Sequence, residues 1–566
     1  MIAKILKAHD LRRVYGLCGG HIMPLWMRLD AEGIRIIDVR DERAAVYMAH
    51  ADAQLSGSLG VALVTAGPGV TNAMTGIANA HVARAPVLIL SGLPPSAQEN
   101  RGALQDIVHT ELVRSLTRYA RTVRHPDLVP QELAEAIARA QGHGGEPGPV
   151  YLDFPVDTLR AAVKPAVCLS EFFTARRIEP SPPNPSQIRQ AVKLLWSARR
   201  PLFISGRGAR HAGAELSALL TRLGAAYLDT GESRGLIADE HPSVVGAMRG
   251  AVMGQADLVV TVGRRLDFQL AYGSPAVFGQ ARFLRIADCA AELRDNRLGE
   301  LGLLADVKLT LQAILDASPS ESPASVSEWL EGLRRQHLER STKLVHSMRH
   351  ASPGSDGLMH PNRILAALRD SLPQDSIVIA DGGDFLSFAR VGLPASTYLD
   401  PGSLGCIGIG TPFGIAASLV HPNRTVVVAT GDGAFGFNAM EIDSAVRHNV
   451  PLLIIVANNG AWSIEVRDQQ ESYARVVGTR LQFSDHAAMA RAFSMHAERV
   501  EHAEDLPAAI QRALSIVSQG KPALIDVVVT PEAVSSDAKS GLAWVPDLQA
   551  LEAWDVAEGQ WRDRAG

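Results

Sequence analysis

The sequence is poor in cysteine, in net charge and in long apolar runs. Only four cysteines occur among 566 residues, and none forms a C-x-x-C pair, which argues against a structural zinc site and a disulfide framework. The formal net charge is -5, so the chain presents no basic field for nucleic acid or for an anionic membrane. No apolar run approaches the roughly 20 residues that a membrane span needs. These absences predict a soluble cytoplasmic protein without a nucleic-acid or membrane partner.

The first 20 residues carry charge on both sides of a short apolar patch, which favours an amphipathic helix over a signal peptide. Beyond them, apolar runs typical of buried strands alternate with helical patterns. We predict strands within residues 34–40, 60–67, 85–92, 148–155, 201–208, 256–263, 281–288, 376–383, 424–433, 451–459 and 523–529. The fold class is therefore α/β, with three similar-sized domains built on parallel sheets.

The domain boundaries follow from breaks in this alternation. A stretch rich in proline, serine and asparagine at residues 177–187 reads as a linker. We predict domains at residues 1–165, 185–335 and 358–530. The remaining tail, residues 531–566, has no strand pattern, and we expect its segment 535–554 to fold back as a lid.

Residues 431–459 read GDGAFGFNAMEIDSAVRHNVPLLIIVANN. An apolar strand precedes GDG and a second one precedes the two asparagines, and ligands of open α/β sheets bind at such strand ends. We expect Asp432 to lie beside Asn458 and Asn459, whose hard oxygens suit a magnesium ion that bridges a diphosphate. The alternative is a pair of unrelated loop turns.

This spacing resembles the diphosphate motif of thiamine-diphosphate-dependent enzymes. The resemblance implies thiamine diphosphate and Mg²⁺ as cofactors. It also implies that the three domains are, in chain order, a pyrimidine-binding domain, a middle Rossmann-like domain and a diphosphate-binding domain. Magnesium would be bound by the side chains of Asp432 and Asn459 and by the Ala461 carbonyl. Further cofactor contacts are assigned on the same basis to Gly433, Ala434, Gly383, Asp384, Asn72, Gly405 and Ile407.

Thiamine chemistry requires loss of a proton from C2 of the thiazolium ring, which a carboxylic acid bonded to the aminopyrimidine promotes. The family carries R-H-E before an alanine-rich helix, and this chain has R-D-E, so Glu42 is the candidate. Taken alone, a glutamate in a first helical turn merely complements the helix dipole. By resemblance, Ile407 would bend the cofactor, and the Gly405 carbonyl would accept from its 4′-amino group.

The resemblance covers nearly the whole chain, and it divides within the decarboxylase and acetohydroxyacid synthase branch. Residues 15–26, 61–73 and 476–481 resemble benzaldehyde lyase, which places a histidine at His21 and an active-site glutamine at Gln105. Residues 205–215, 263–275 and 286–293 are closer to 2-hydroxyacyl-CoA lyase and oxalyl-CoA decarboxylase.

In the CoA enzymes the middle domain holds the coenzyme A nucleotide. Arg207 and Arg210 follow a strand in a glycine turn and would bind its phosphates as fork donors. The alternative is that both are solvated surface arginines. A middle domain of this kind holds FAD in acetohydroxyacid synthases, but similarity to that group is not close here, so FAD is not expected.

We predict a lyase that cleaves 2-hydroxyacyl-CoA to an aldehyde or ketone plus formyl-CoA. The sequence leaves open whether the enzyme also catalyses the reverse condensation. The reaction needs a base at the 2-hydroxyl and a proton donor at C1, for which Glu465 and His21 are the candidates, with Gln105 orienting the oxygen. Glu465 is expected to be buried beside the cofactor and the substrate.

Three alternatives remain at this stage: a benzaldehyde-lyase-like acyloin enzyme, a decarboxylating enzyme such as acetolactate synthase or oxalyl-CoA decarboxylase, and an inactive binding or regulatory subunit. Glu42, Asp432 and Asn459 argue against the last. Because family members place the cofactor between two chains, the resemblance implies a homodimer or homotetramer.

Overall fold

The computed structural model describes residues 1–143, 145–163, 179–321 and 324–535, and its strands form three fully parallel sheets. The α/β class and the three-domain arrangement predicted from the sequence are confirmed. The predicted lid lies outside the described residues from position 536 onward.

The first sheet has six strands in the order β2-β1-β3-β4-β6-β5. Its strands are β1 Arg13–Gly16, β2 Arg35–Asp38, β3 Gly60–Val64, β4 Val87–Leu93, β5 Tyr119–Thr122 and β6 Val150–Pro155. The accompanying helices are α1 Ile2–Ala8, α2 Met23–Ala31, α3 Glu42–Ser56, α4 Pro68–Ala83, α5 His109–Val113, α6 Val129–Ala140 and α7 Val156–Arg160.

The middle sheet has five strands in the order β11-β10-β9-β7-β8. Its strands are β7 Pro201–Ser205, β8 Ala226–Leu228, β9 Leu258–Val262, β10 Arg282–Ala287 and β11 Leu301–Leu304. The helices are α8 Pro185–Ser197, α9 Gly213–Leu223, α10 Arg249–Gln255, α11 Pro275–Phe278, α12 Ala290–Leu293, α13 Val307–Ala317 and α14 Ala324–Arg349.

The last sheet has six strands in the order β13-β12-β14-β15-β17-β16. Its strands are β12 Ile377–Asp381, β13 Thr397–Leu399, β14 Val426–Gly431, β15 Leu453–Asn458, β16 His496–Val500 and β17 Ala523–Val528. The helices are α15 Asn362–Ser371, α16 Asp384–Gly392, α17 Gly410–Val420, α18 Asp432–Phe437, α19 Glu441–Arg447, α20 Ser463–Tyr473, α21 His486–Ala492 and α22 Leu506–Ser518.

Every predicted strand is present, but six strands were missed, and five of these lie at the edges of their sheets. The missed edge strands are β5, β8, β11, β13 and β16. A strand paired on one side only tends to be short and partly exposed, so it lacks the continuous apolar run that marks a central strand. The sixth, β1, is central, but its RVYG sequence is too short to give a pattern.

Helix α3 joins the first domain to the last because it packs on α17. Its start is defined locally, since the Asp41 carboxylate accepts the Arg43 N–H at 2.8 Å. The Tyr47 and Phe413 rings meet edge to face with centroids 6.2 Å apart, and both side chains belong to one apolar core shared by the two domains. The packing places the first residue of α3, Glu42, at a domain boundary.

Among the described residues, no helix is long and apolar enough to cross a membrane.

A buried ion pair stabilises this interdomain region, and its removal should destabilise the chain. Asp52 on α3 accepts hydrogen bonds from Tyr15 Oη (2.7 Å) and Arg13 Nε (2.8 Å). Asp52→Ala leaves both donors without an acceptor. We therefore expect the free energy of unfolding to fall by about 2–3 kcal/mol, measured as a lower melting temperature. Glu135→Ala removes an exposed i,i+4 pair with Arg139 and should change stability by at most about 0.5 kcal/mol. Equal effects would contradict the assignment.

Candidate functional site

The GDG and NN motifs meet at the carboxyl edge of the last sheet. Strands β14 and β15 are neighbours, with Gly431 opposite Ala457, so Asp432 and Asn459 each follow the end of adjacent strands. The Gly460 N–H donates to Asp432 Oδ2 at 3.1 Å. Asn459 Oδ1 accepts the Ala461 N–H at 3.1 Å, while its Nδ2 donates to Ser463 Oγ at 2.8 Å. Asp432, Asn459 and Ala461, the three residues predicted to bind magnesium, therefore lie close together.

The Asp432 carboxylate is suited to a cation that the chain itself does not supply. Its residue is 5% exposed, and burial raises its pKa to about 6, although backbone N–H groups act in the opposite direction. None of the described arginine, lysine or histidine side chains forms an ion pair with it. A buried carboxylate without a counter-ion is costly, and a hard divalent ion would offset that cost. The donor set therefore fits magnesium.

Asn458, which precedes the predicted ligand Asn459, faces a different environment. Its Nδ2 donates to Ser484 O at 2.8 Å and to Asp526 Oδ1 at 3.0 Å. Successive strand side chains point to opposite faces, which explains why the two adjacent asparagines separate. The paired asparagines thus contribute one candidate ligand and one structural residue.

Small residues occupy the four positions of this region to which the resemblance assigns cofactor contacts, and their surroundings differ. A Cβ at Gly433 would lie 2.5 Å from the Trp462 ring, so no larger residue fits there. Ala434 is buried, and Gly383 packs against Ile464. Gly405 lies at φ +71° with open space where a Cβ would point. Of these four residues, only Gly405 has open space where a side chain would point, and the assignment of all four to cofactor binding stays a prediction.

Asp381 organises the loop that carries Ile407, and sequence reasoning missed it. Its Oδ1 accepts the Gly408 N–H at 3.0 Å, and its Oδ2 accepts the Gly410 N–H at 2.8 Å. The residue is 1% exposed, and burial raises its pKa to about 6. The only sequence signal was its place at the end of a strand, before two glycines.

Asp384, predicted to bind the cofactor, pairs with Arg467 at 2.6 Å. Arg467 lies on α20, two positions after Glu465, so this ion pair ties α20 to the start of α16. Glu465 is exposed in the chain, so the burial expected for it has to come from a bound substrate or a second chain.

Glu42 and Asn72 form the first of two polar pairs in the first domain. Asn72 Nδ2 donates to Glu42 Oε2 at 3.0 Å. Glu42 is 6% exposed, and its other oxygen lies beside Gly69 in the Gly67-Pro68-Gly69 turn, called the GPG turn below. The predicted acid and the predicted cofactor-binding asparagine are thus in direct contact.

His21 and Gln105 form the second pair, although 84 positions separate them in the sequence. The His21 Nδ1–H donates to Gln105 Oε1 at 2.9 Å, since an amide oxygen only accepts. Gln105 has φ +65° and packs on Gly67, where a Cβ would lie 2.8 Å from the Gln105 Cβ. Glycine is therefore required at position 67, and the turn holds the pair in place.

A buried polar chain that sequence reasoning missed supports this turn. His109 Nε2 accepts the Gly67 N–H at 2.8 Å, so its Nδ1 carries the proton and donates to Asp153 Oδ2 at 3.2 Å. Tyr151 Oη donates to the same oxygen at 3.1 Å. The only signal was a histidine four positions after Gln105, which reads equally well as an exposed loop residue.

Within the single chain, these two groups of residues remain separate. Among the described residues, no hydrogen bond or ion pair joins Glu42, Asn72, His21 or Gln105 to the side chains of the metal region. The first domain therefore presents the candidates Glu42 and His21, and the last domain presents Glu465 together with the candidate diphosphate and metal groups.

Neither middle-domain arginine is a solvated surface residue. Arg207 Nη2 pairs with Asp288 at 2.5 Å and with Glu292 at 3.3 Å, and Arg84 of the first domain also pairs with Glu292. Arg210 differs, because its Nε donates to the Glu232 carbonyl at 2.8 Å, and none of the described carboxylates forms an ion pair with its guanidinium. Burial and then the repulsion from Arg207 and Arg84 lower its pKa to about 10, although Glu232 opposes them.

Comparison with known proteins agrees with this geometry. Residues 1–112 match the thiamine pyrophosphate enzyme N-terminal TPP binding domain, residues 188–314 the central domain and residues 383–527 the C-terminal TPP binding domain. The chain therefore belongs to the thiamine pyrophosphate enzyme family, and thiamine diphosphate is its cofactor.

Relatives align over almost the full length. A 2-hydroxyacyl-CoA lyase 2 from Caenorhabditis elegans is 32% identical over 94% of this chain and 89% of its own. A 2-hydroxyacyl-CoA lyase 1 from Mus musculus is 30% identical over 94% of both chains. An acetolactate synthase large subunit from Mycobacterium tuberculosis is 31% identical over 96% of this chain and 97% of its own. The predicted likeness to 2-hydroxyacyl-CoA lyase is confirmed.

The raised pKa of Asp432 predicts opposite pH dependences for the cofactor-free and loaded chains. Without metal, its contribution to stability is present below the unfolded value of 3.8 and is lost as pH rises through about 6. Magnesium needs the charged form, so Mg²⁺-dependent binding of thiamine diphosphate should weaken about tenfold per pH unit below about 6.

Both effects are measurable as melting temperatures between pH 4.5 and 8, with and without Mg²⁺ and thiamine diphosphate. Asp432→Asn removes the titrating group, so its cofactor-induced rise in melting temperature should be absent at every pH. A wild-type rise that is the same at pH 5 and pH 7 would contradict the assignment.

Proposed function

We propose that this thiamine diphosphate-dependent lyase cleaves 2-hydroxyacyl-CoA thioesters to an aldehyde or ketone and formyl-CoA, with Mg²⁺ bound by Asp432, Asn459 and the Ala461 carbonyl. Thiamine diphosphate supplies the nucleophilic carbon and the electron sink for breaking the carbon–carbon bond. The chain supplies the groups that orient the substrate and move its protons.

The hydrogen bond between His21 and Gln105 carries the proposal. Because Nδ1 donates to Gln105, His21 Nε2 is left with a free lone pair and can accept a proton. Cleavage of a 2-hydroxyacyl compound requires removal of the hydroxyl proton, whereas loss of CO₂ from a 2-oxo acid does not. An imidazole oriented in this way, with Nε2 available as an acceptor, therefore favours a lyase of 2-hydroxy compounds over a decarboxylase.

Glu42 and Glu465 have separate tasks in this proposal. Glu42, held by Asn72, is the acid that activates the cofactor. Glu465 lies on α20 beyond the metal loop, and we assign to it proton exchange with the reacting carbon once substrate covers it. The division of base and acid between His21 and Glu465 follows from the tautomer of His21.

Arg210 is the better candidate of the two arginines for contact with coenzyme A phosphate. Arg207 is already paired with two carboxylates, so its guanidinium is less available to a phosphate group. A phosphate group would relieve the excess positive charge around Arg210. Arg210→Met should raise the KM for the thioester, whereas Arg265→Met, which alters an arginine paired with Glu146, should leave the KM unchanged.

Exposed apolar side chains beside the candidate site support assembly into at least a homodimer. Leu104 is 77% and Val108 64% exposed, on either side of Gln105 in sequence. Phe437 and Met440, which follow the GDG motif, are also exposed. Large apolar side chains left in water in this way mark a contact surface, and a second copy of the chain would cover them.

Acetolactate synthesis is the second candidate, favoured by the relative from Mycobacterium tuberculosis. Parallel assays with 2-hydroxyacyl-CoA, benzoin and pyruvate, each with thiamine diphosphate and Mg²⁺, separate the candidates. We expect formyl-CoA and an aldehyde from the first substrate only. His21→Ala should lower that rate by about 10²–10⁴ and leave cofactor binding intact, and turnover of pyruvate alone would refute the proposal.

The role of Glu42 is testable without any substrate. Glu42→Gln should lower the exchange rate of the C2 proton of bound thiamine diphosphate by about 10²–10⁴, as followed by NMR at saturating cofactor. Glu465→Gln is the matched comparison, because it should keep that exchange rate while lowering thioester turnover. An unchanged exchange rate in Glu42→Gln would remove the assignment.

A further inference from the structure

The start of helix α3, which bears Glu42, is held by a side chain of the last domain. Glu441 Oε1 accepts the backbone N–H groups of Arg40 at 3.0 Å and Asp41 at 3.1 Å. These two residues immediately precede Glu42, and N–H groups at a helix start need partners from outside the helix. A carboxylate 400 positions away in sequence thus fixes the backbone from which Glu42 projects.

Forming this contact removes the Glu441 carboxylate from water, which costs solvation free energy. The residue is 1% exposed, and burial raises its pKa to about 7, opposed by its hydrogen bonds. Its second oxygen accepts from Ser444 Oγ at 2.6 Å. None of the described cationic side chains forms an ion pair with it, so the two N–H groups and one hydroxyl are the groups that compensate the buried carboxylate.

The same segment also reaches the loop that bears Ile407. Arg43 Nη2 donates to the Phe437 carbonyl at 2.9 Å, and its guanidinium lies 5.8 Å from the Phe437 ring centroid. Asn438 Nδ2 donates to the Gly408 carbonyl at 2.6 Å. Residues 437–441 therefore touch both the start of α3 and the residue after Ile407.

Other side chains also form contacts across the boundary between the first and last domains, and they provide a comparison for Glu441. Asp443, on the same helix as Glu441, pairs with the guanidinium of Arg40 at 3.3 Å, and Arg447 pairs with Asp38 at 2.6 Å. Neither of these side chains contacts the N–H groups of residues 40 and 41. His448 and Arg447 contact the backbone of Asp38, so Glu441 is distinguished by its position, because it accepts the N–H groups of the two residues that immediately precede Glu42.

We propose that Glu441 is a positioning residue that sets the orientation of Glu42, and that Asn438 extends the same constraint to the loop of Ile407. The inference rests on the proposed role of Glu42 as the acid that activates the cofactor. Glu441 acts through hydrogen-bond acceptance, so a carboxamide oxygen at that position should serve in its place.

The test compares Glu441→Ala, Glu441→Gln and the matched control Asp443→Ala, in the full chain. Two readouts are followed: hydrogen exchange of the backbone amides of residues 40–43 without cofactor, and exchange of the C2 proton of saturating thiamine diphosphate with Mg²⁺. In Glu441→Ala we expect the amides to exchange at least about tenfold faster and the C2 proton about tenfold slower. Glu441→Gln and Asp443→Ala should stay within about twofold of wild type on both readouts.

The proposal is overturned if Glu441→Ala keeps the wild-type rate of C2 exchange, or if Glu441→Gln is as impaired as Glu441→Ala. Should the alanine variant fail to fold, Glu441→Asp withdraws the acceptor by one methylene, and it should lower C2 exchange while retaining the charge. If Glu42→Gln itself leaves C2 exchange unaltered, the assigned role of Glu42 fails, and the amide readout still decides whether Glu441 holds the helix start.

Discussion

Buried carboxylates held by backbone N–H groups are the interaction on which the geometry of the site depends. Asp381 gathers the N–H groups of the loop around Ile407, Asp432 accepts from the turn at Gly460, and Glu441 holds the start of α3. Each carboxylate loses solvation, and burial raises the pKa of each. A neutral apolar residue cannot accept these N–H groups, so the backbone around the site depends on a hydrogen-bond acceptor at each of the three positions.

The three domains divide the chemistry between them. The first domain carries the candidate acid Glu42 and the imidazole of His21, each hydrogen-bonded to one carboxamide. The last domain carries the candidate oxygen ligands of the metal, the small residues around them and the candidate proton-exchange residue Glu465. The middle domain lines the carboxyl edge of its sheet with paired arginines and carboxylates, whereas none of the described carboxylates forms an ion pair with the Arg210 guanidinium.

Much of the architecture could be predicted because parallel strands in the middle of a sheet are continuous apolar runs. Edge strands such as β13 and β16 were missed because each pairs with a neighbour on one side only and lacks the continuous apolar run of a central strand. In the site, Asp432 and Asn459 were predicted from the spacing of a local motif, and Glu42 from the resemblance of R-D-E to the family's R-H-E segment. His109, Asp381 and Glu441 were not predicted. Their partners are backbone N–H groups contributed by distant segments, and the residue types around these three positions give no sign of such a partner.

By itself, the sequence determined the order of the three domains, the metal and diphosphate motif, and the helix that begins at Glu42, since strand runs, glycine turns and helix caps are local properties. Tertiary structure alone decided that His21 meets Gln105, that Arg207 is neutralised while Arg210 is not, and that Glu441 holds the backbone before Glu42. The physical reason is that hydrogen bonds and ion pairs act over about 3 Å, and which groups come that close is set by how the sheets and helices pack.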